Sequence, residues 1–258
     1  MKDFTMTSKL KSIALSISAV LLWLLVWEIG ARLIDARMLF PTISDVVLSL
    51  ARDAITTDFW LTILFSVFRI LLGFIIGTVF GIFFALASMN RYIHTLIKPL
   101  ITVARCTPVA SFIMLVWLLI SDALEPLIPS VIALLMVFPV VWQSAYNAVS
   151  APPKELDEVA RIYGFGRKKR LIYLTVPAML KSTLPSIITA SGLAWKSGVA
   201  AEVITYTKNS IGRSISEAKN SIDGASMIAW TLVVILLGLA LEAIIKYLSG
   251  KADSVWEY

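Results

Sequence analysis

The chain is 258 residues long, with 58% hydrophobic residues, 16% charged residues and a formal net charge of +6. Because an ordinary soluble domain is about one quarter charged, this composition excludes a soluble protein and indicates one that dissolves in lipid. The single Cys106 and the single His94 exclude an internal disulfide and a Cys- or His-rich metal site, and the positive charge fits cytoplasmic loops better than nucleic-acid binding.

Six apolar segments have about the 20 residues that a helix needs to cross a bilayer. They cover, to within a few residues, 12–30, 60–88, 96–120, 127–149, 179–206 and 226–248. The first is expected to be a retained helix, since it lacks the small-residue cleavage pattern of a signal peptide. Between the first two, Ile43, Val46, Val47 and Leu50 share one helical face, which predicts a helix along the membrane interface.

The Lys and Arg residues indicate how the six spans are oriented. Fourteen of them fall in segments that are cytoplasmic if the N-terminus lies inside, against six in the external segments. Positive residues are enriched on the cytoplasmic side of a membrane. The sequence therefore predicts a multi-pass protein with both termini in the cytoplasm. No separate soluble domain fits beside the spans, so residues 1–258 are expected to form one all-α transmembrane domain.

Three glycines in the second span, Gly73, Gly77 and Gly81, lie four residues apart. Such a stripe of small residues lets two helices approach closely, and we favour this packing role over one in gating. Arg69 precedes the stripe in the outer half of the span, where its side chain can extend to the interface.

The third and fifth spans carry ionisable residues at membrane depth, where a charge costs about 2.5–3.5 kcal/mol and is usually functional or paired. In the third span Arg105 lies between Pro99 and Pro108, which predicts a broken helix. In the fifth, Lys196 lies among small residues, and Glu202 follows too far around the helix to be its obvious partner. Two interpretations remain open: ion pairs with acids of other spans, or cations that guide an anion.

A polar segment, residues 150–177, separates the fourth and fifth spans. Two prolines open it, acids follow and Gly164 closes it, which predicts a short helix over 154–163. The apolar stripe of this helix comprises Leu156, Val159, Ala160 and Tyr163. Taken alone, the pattern fits a loop held by anionic lipid as well as a helix docked in the groove of a cytoplasmic partner.

The spacing within this segment resembles the E-A-A-x3-G-x9-I-x-L-P signature in the membrane subunits of ABC importers. The matching residues are Glu158-Val159-Ala160, Gly164 and Leu174-x-Val176-Pro177. Val159 departs from the first Ala of the signature, whereas Leu174 and Val176 are conservative changes for Ile and Leu. From about Leu39 to Leu248 the chain is similar to the nitrate/sulfonate/taurine/bicarbonate branch of these permeases, for example in "LFPTISDVVLSL" and "PLITVARCTPVASFIMLVWLLI". The resemblance implies the type I importer permease fold, with about six transmembrane helices and a cytoplasmic coupling helix between the fourth and fifth.

The same resemblance implies partners for the chain. The coupling helix would dock on a dimer of cytoplasmic ATPase subunits through Glu158, Val159, Ala160, Arg161, Gly164 and Pro177. Because the chain has no G-x4-G-K-[ST] phosphate-binding loop, it is expected to be non-catalytic and without a cofactor, with ATP and Mg²⁺ bound by the partner ATPase. A second permease copy, most simply an identical one, and an extracellular or periplasmic binding protein would complete the importer in the bacterial cell membrane.

The resemblance also suggests a small oxyanion, such as a sulfonate, as the solute, with a neutral or cationic heterocycle such as a vitamin precursor as the alternative. The residues expected to line its path are Arg105, Pro108, Ser111, Lys196 and Glu202. A secondary transporter is disfavoured because the two halves of the chain show no internal repeat. A membrane-embedded enzyme is disfavoured because one histidine cannot supply a catalytic constellation.

Overall fold

The computed structural model of the protein describes residues 2–34, 36, 38–151, 158, 160 and 162–255, which form helices and connecting turns without a β-strand. The longer helices in these ranges are α1 (Lys2–Ile34), α2 (Ile43–Ala54), α3 (Thr57–Ala87), α4 (Arg91–Cys106), α5 (Val109–Leu119), α6 (Ile128–Ser150), α7 (Val176–Thr205), α8 (Ile211–Asn220) and α9 (Gly224–Val255). Shorter helical pieces are Asp122–Leu127, Arg167–Arg170 and the π-helical Leu171–Thr175. The predicted all-α fold is confirmed.

Among the described residues, five helical segments have the length and apolar composition to cross a membrane. They are Ile17–Ile34, Thr57–Ala87, Ala123–Ser150, Lys168–Thr205 and Gly224–Ser249. The pair α4 and α5 also passes this test, but its two helices are bent by 110° and make a sixth span only if they are counted together. This agrees with the six predicted segments and with the predicted break in the third.

The break between α4 and α5 follows from a proline. Thr107 has an extended backbone (φ −80°, ψ 131°) because a residue before proline is disfavoured in the helical region. Its backbone N–H and its hydroxyl still reach the carbonyl of Val103, at 3.0 and 2.8 Å, so α4 ends without an unpaired amide. The chain leaves Pro108 in a new direction, and Ser111 begins the hydrogen bonds of α5 by donating to the Pro108 carbonyl at 3.0 Å.

One compact unit comprises Met1–Trp60 and Ser214–Val233. In it, α2 begins with a capping box between Thr42 and Asp45. The predicted helix is present, and on its predicted apolar face Val46 is buried whereas Val47 is 57% exposed. The buried face of α2 also has a polar contact, because the hydroxyls of Ser49 and Ser226 are hydrogen-bonded at 2.9 Å.

The start of α9, in the same unit, is held by a side-chain cap. The backbone N–H and the hydroxyl of Ser226 donate to the two carboxylate oxygens of Asp223, at 3.0 and 2.8 Å. These bonds favour the charged form of the carboxylate, and the backbone one contributes most. They hold the pKa of Asp223 below its ordinary value.

The second compact unit comprises Leu61–Arg213 and Val234–Tyr258, and its centre is the packing of α6 along α7. Two buried clusters form its core. One contains Trp142 of α6 and Met179 of α7, and the other contains Ile132 of α6 and Ala201 of α7. A hydrogen bond of 2.9 Å between the hydroxyls of Ser186 and Ser144 also joins the two helices.

The glycine stripe of α3 packs directly on α6 in this unit. A β-carbon at Gly73 would clash with the carbonyl oxygen of Ser130. At Gly77 it would lie 3.0 Å from Val137 Cβ, and at Gly81 it would lie 2.8 Å from Val141 Cβ. Small residues at these positions therefore let the two helices approach to backbone contact.

Candidate functional site

The segment between α6 and α7 carries the predicted coupling residues. Val159, Arg161 and residues 154–157 of the predicted helix, together with the two prolines before it, lie outside the described residues. Glu158 and Ala160 are helical, which agrees with a helix at this place. Their surroundings differ, because Glu158 is exposed whereas Ala160 is only 4% exposed.

Gly164 ends this helix by a specific hydrogen bond. Its φ is +60°, in the left-handed region that glycine adopts without a steric penalty. Directly after it, the backbone N–H of Phe165 donates to the carbonyl of Ala160 at 2.9 Å. This bond from a residue five positions on is the closing bond of a Schellman motif, which reverses the chain direction within one turn.

The turn leaves two large side chains on the surface. Ile162 is 80% exposed and Tyr163 is 73% exposed, and the aromatic rings of Tyr163 and Phe165 lie 6.4 Å apart. We name the three exposed residues Glu158, Ile162 and Tyr163 the coupling surface. Lys168 and Lys169, further along the chain, are also exposed. The segment presents apolar and charged groups together, as a protein docking surface does.

Pro177, the last residue of the predicted signature, lies in the first turn of α7. Proline has no backbone N–H, so a regular helix cannot continue through it from the preceding residues. The structure places the π-helical turn Leu171–Thr175 there, and the N–H of Val176 donates to the carbonyl of Leu171. Single π-turns of this kind are rare and often lie at functional sites.

The residues predicted in the third span lie around the break between α4 and α5. Arg105, Pro108 and Ser111 are all exposed. Within the described part of the chain, Arg105 has no hydrogen bond or ion pair. The bend of 110° thus leaves an exposed cation beside a stretch of non-helical backbone.

Lys196 lies on an open face of α7. Leu193 and Lys196 are exposed, and a β-carbon added at Gly192 would meet no atom within 4 Å. The residues on either side of Lys196, Trp195 and Ser197, are buried at 4% and 5% exposure. Lys196 has no hydrogen bond or ion pair with the described residues. One side of α7 therefore packs in the bundle while the other presents a cation.

Glu202, also predicted for the path, lies differently. Its side chain is fully buried, and its Oε2 atom accepts hydrogen bonds from the Ser66 hydroxyl at 2.9 Å and from the Gly212 backbone N–H at 3.2 Å. Its Oε1 atom is buried and has no hydrogen-bond partner among the described residues. In this structure Glu202 joins α3, α7 and α8, and no part of it reaches an open face.

The sequence did not predict Ser66 and Gly212 as the hydrogen-bond donors to Glu202. The signal for Ser66 was a small hydroxyl residue in a strongly apolar span, and that for Gly212 was a small residue just inside a helix. The sequence predicted that the side chain of Arg69 extends to the membrane interface, and the structure shows specific contacts within the chain as well. Its Nη1 atom donates to the carbonyl of Asn209 at 3.1 Å, and its guanidinium lies 5.7 Å from the centre of the Phe65 ring.

Comparison with known proteins gives a consistent result. A family model described as "Binding-protein-dependent transport system inner membrane component" matches residues 77–253. A bicarbonate transport system permease protein of Synechococcus elongatus is 26% identical over 251 residues, covering 93% of this chain and 89% of that protein. A taurine transport system permease protein of Escherichia coli K12 is 25% identical over 247 residues, covering 92% of this chain and 85% of that protein.

A solved structure described as an amino acid ABC transporter with histidines shares the fold. Its TM-score is 0.61 at 17% sequence identity, and the match covers 75% of this chain and 93% of the other. The helical architecture predicted from the sequence, that of a type I importer permease, is thereby confirmed.

Proposed function

The chain belongs to the family of binding-protein-dependent transport system inner membrane components, and from this membership we propose that it passes a small oxyanion through the membrane as the permease subunit of an ATP-driven importer. The observation that carries the choice of an anion is the pair of exposed cations, Lys196 on α7 and Arg105 at the broken span. Relatives named for bicarbonate and taurine transport support the same solute class.

The two cations also support a dimeric path. A charge facing hydrocarbon costs about 2.5–3.5 kcal/mol, and intramembrane charges usually face a water-filled cavity or another protein segment. Neither cation is covered within the single chain. A second copy of the chain would enclose both between the two bundles and complete a polar path. We therefore propose a homodimer, with Arg105, Pro108, Ser111 and Lys196 along the path.

The predicted place of Glu202 in this path is revised in the proposal. Its carboxylate is buried and hydrogen-bonded inside the bundle, so we propose that it lies outside the path and does not meet the solute. Gly73, Gly77 and Gly81 have an equally internal place, because they set the distance between α3 and α6.

The coupling surface supports a cytoplasmic partner. Ile162 and Tyr163 are too exposed to contribute to the core of the chain, and the Gly164 turn fixes them in place. We propose that they and Glu158 dock on one subunit of an ATPase dimer, together with Val159, Ala160, Arg161 and the Pro177 turn. ATP and Mg²⁺ would bind to that dimer, because this chain contains no phosphate-binding loop in its sequence.

The family description names an inner membrane component, and the charge distribution supports its orientation there. Fourteen Lys and Arg residues fall on one predicted side and six on the other. We propose that both termini and the coupling surface face the cytoplasm of a bacterial cell. The loop between α7 and α8 then faces outwards, towards a binding protein that delivers the solute.

The test is uptake into proteoliposomes that contain the chain, its ATPase and its binding protein. The ligand of the binding protein is identified first, and sulfonates, nitrate, bicarbonate and neutral or cationic heterocycles are then offered at equal concentration. The proposal expects ATP-dependent uptake of an anion. Uptake of a heterocycle alone would contradict the proposal that the solute is an anion but would leave the proposed permease role intact. Uptake without ATP or without the binding protein would contradict the proposal that the chain is the permease subunit of an ATP-driven importer.

A further inference from the structure

The first turn of α8 is capped by residues from two other helices and by Ser210, which directly precedes it. The backbone N–H groups that open a helix have no partner within it. Here the N–H of Ile211 donates to the Ser66 hydroxyl at 2.9 Å, and the N–H of Gly212 donates to Glu202 Oε2 at 3.2 Å. The N–H of Arg213 donates to the Ser210 hydroxyl at 3.1 Å. Since Ser66 also donates to Glu202 at 2.9 Å, α3, α7 and the start of α8 share one buried polar cluster.

This cluster holds the segment Tyr206–Arg213, which we name the outer loop. The hydroxyls of Thr205 and Thr207 lie 2.7 Å apart beneath it, and Thr207 and Ser210 are 0% and 1% exposed. From the other side, Arg69 of α3 donates to the Asn209 carbonyl at 3.1 Å. The outer loop is therefore anchored near both ends and in the middle.

The backbone of the outer loop is strained in two places. Tyr206 and Asn209 have φ values of 56° and 50°, and only glycine reaches this left-handed region without a penalty. Asparagine adopts the region more readily than tyrosine does. Such conformations persist when the surroundings impose them, and they concentrate at functional sites. The buried contacts described above impose them here.

The exposed groups of the outer loop are basic and aromatic. Tyr206 is 38% exposed, and Lys208 and Asn209 are exposed beside it. The half-buried Arg213 packs against this surface, with its guanidinium 4.9 Å from the centre of the Tyr206 ring. The loop sequence contains no acidic residue, and the one carboxylate beneath it, Glu202, is buried. A surface of this kind fits a protein partner that presents carboxylates, because Tyr and Arg are enriched in interface hot spots.

We propose that the outer loop is a pre-formed contact surface for an acidic patch on the binding protein, and that Glu202 is the positioning residue that holds it in shape. The proposal rests on the proposed function, which supplies a binding protein on the outer side. A loop already held in its bound shape loses little conformational freedom on docking, so its affinity is higher than that of a free loop. Release of the cap would weaken docking without changing the ATPase.

The test uses the complete importer in proteoliposomes, with the ATPase rate measured against the concentration of ligand-loaded binding protein. In Glu202→Ala the cap is lost, and we expect the concentration for half-maximal stimulation to rise about tenfold, which corresponds to roughly 1.4 kcal/mol of docking energy. The maximal rate should stay within twofold. Glu202→Gln should restore the wild-type value, because its amide oxygen still accepts from Ser66 and Gly212.

Two further variants separate docking from folding. Lys208→Glu changes only an exposed charge, and we expect it to raise the half-maximal concentration at low salt and less so at high salt. Ser144→Ala is the matched control. It removes a part-buried bond of 2.9 Å from the Ser186 hydroxyl within the same unit, and this bond involves neither the outer loop nor its anchors, so the half-maximal concentration should equal that of the wild type.

The outcomes are distinguishable. An unchanged half-maximal concentration in both Glu202→Ala and Lys208→Glu would overturn the inference, as would a lower maximal rate alone, which indicates a purely structural role. If Glu202→Ala does not assemble, Lys208→Glu decides, because an exposed substitution leaves the fold intact. If the binding protein does not stimulate even the wild-type complex, the proposed function fails instead.

Discussion

Gly198 of α7 faces Ile70 of α3 so closely that a β-carbon at position 198 would lie 2.5 Å from Ile70 Cγ1. Cγ1 is bonded directly to the β-carbon of Ile70, so it cannot move aside as the end of a long side chain does. Two positions earlier in the chain, Lys196 is exposed on the open face of the same helix. The close packing of Gly198 on Ile70 therefore fixes the rotation of α7 about its own axis, and this rotation leaves Lys196 exposed.

Substitution of this glycine provides the first prediction. Gly198→Ala should lower the melting temperature of the purified protein, because overpacking a tight contact costs about 1–3 kcal/mol. Gly192→Ala is the matched control in the same helix, since a β-carbon there meets no atom within 4 Å. It should be neutral or stabilising, because alanine favours a helix over glycine by about 0.5–1 kcal/mol. Equal melting temperatures for the two variants would contradict this packing.

The second prediction concerns the glycine stripe of α3. Gly73→Ala should be the most damaging alanine substitution in the stripe, since its β-carbon would meet the backbone oxygen of Ser130, which has no freedom to rotate away. Gly77→Ala meets Val137 Cβ at 3.0 Å and should be tolerated better. The measurement is the thermal stability of both variants in detergent. The reverse order of stability would show that α3 and α6 are not packed as described.

The third prediction separates coupling from folding at Gly164. A β-carbon there meets no atom, so Gly164→Asp is not a steric clash; it forces a side chain into a left-handed backbone at a cost of about 1–2 kcal/mol. We expect normal membrane insertion, weaker co-purification with the ATPase and loss of uptake, as also for Glu158→Lys. Gly166→Asp is the control, because Gly166 is open and its φ is not positive. Normal uptake in both Gly164→Asp and Glu158→Lys would exclude the coupling surface as the docking site.

The fourth prediction concerns the two exposed cations. Lys196→Met and Arg105→Met remove a charge while keeping most of the side-chain volume, and each should slow anion uptake by about tenfold if the charge supplies about 1.4 kcal/mol. Ligand capture by the binding protein should not change. Lys246→Met, an exposed cation near the end of α9, is the control and should transport normally. An unaltered uptake rate in both variants would show that Lys196 and Arg105 do not line the path.

The fifth prediction concerns the Asp223 cap of α9. Loss of a helix cap costs about 0.5–2 kcal/mol, so Asp223→Ala should lower the melting temperature at pH 7. Because the pKa of Asp223 is lowered in the fold, its contribution is complete above the unfolded value near 4 and is lost as the pH falls through the folded value. The melting temperatures of wild type and Asp223→Ala should therefore converge in acid. A constant difference down to pH 2 would show that the charge of the cap does not matter.

The sequence alone determined the architecture of this protein to a large extent. Long apolar runs have no stable alternative to helices in lipid, so the number of spans could be read from composition. The break at Pro108 and the turn at Gly164 were equally predictable, because proline lacks an N–H and glycine alone adopts a left-handed backbone freely. Family membership was accessible for the same reason, since the signature residues lie at fixed spacing along one short segment.

The tertiary structure decided what each ionisable residue in the spans does. Lys196 and Glu202 lie six positions apart on one helix and looked equally suited to the path. The packing of Gly198 on Ile70 leaves Lys196 open and turns Glu202 into the bundle, where it meets Ser66 and Gly212. These partners lie 136 and 10 positions away in the chain. Local periodicity contains no information about contacts at such separations, because they form only when helices from distant parts of the chain pack together.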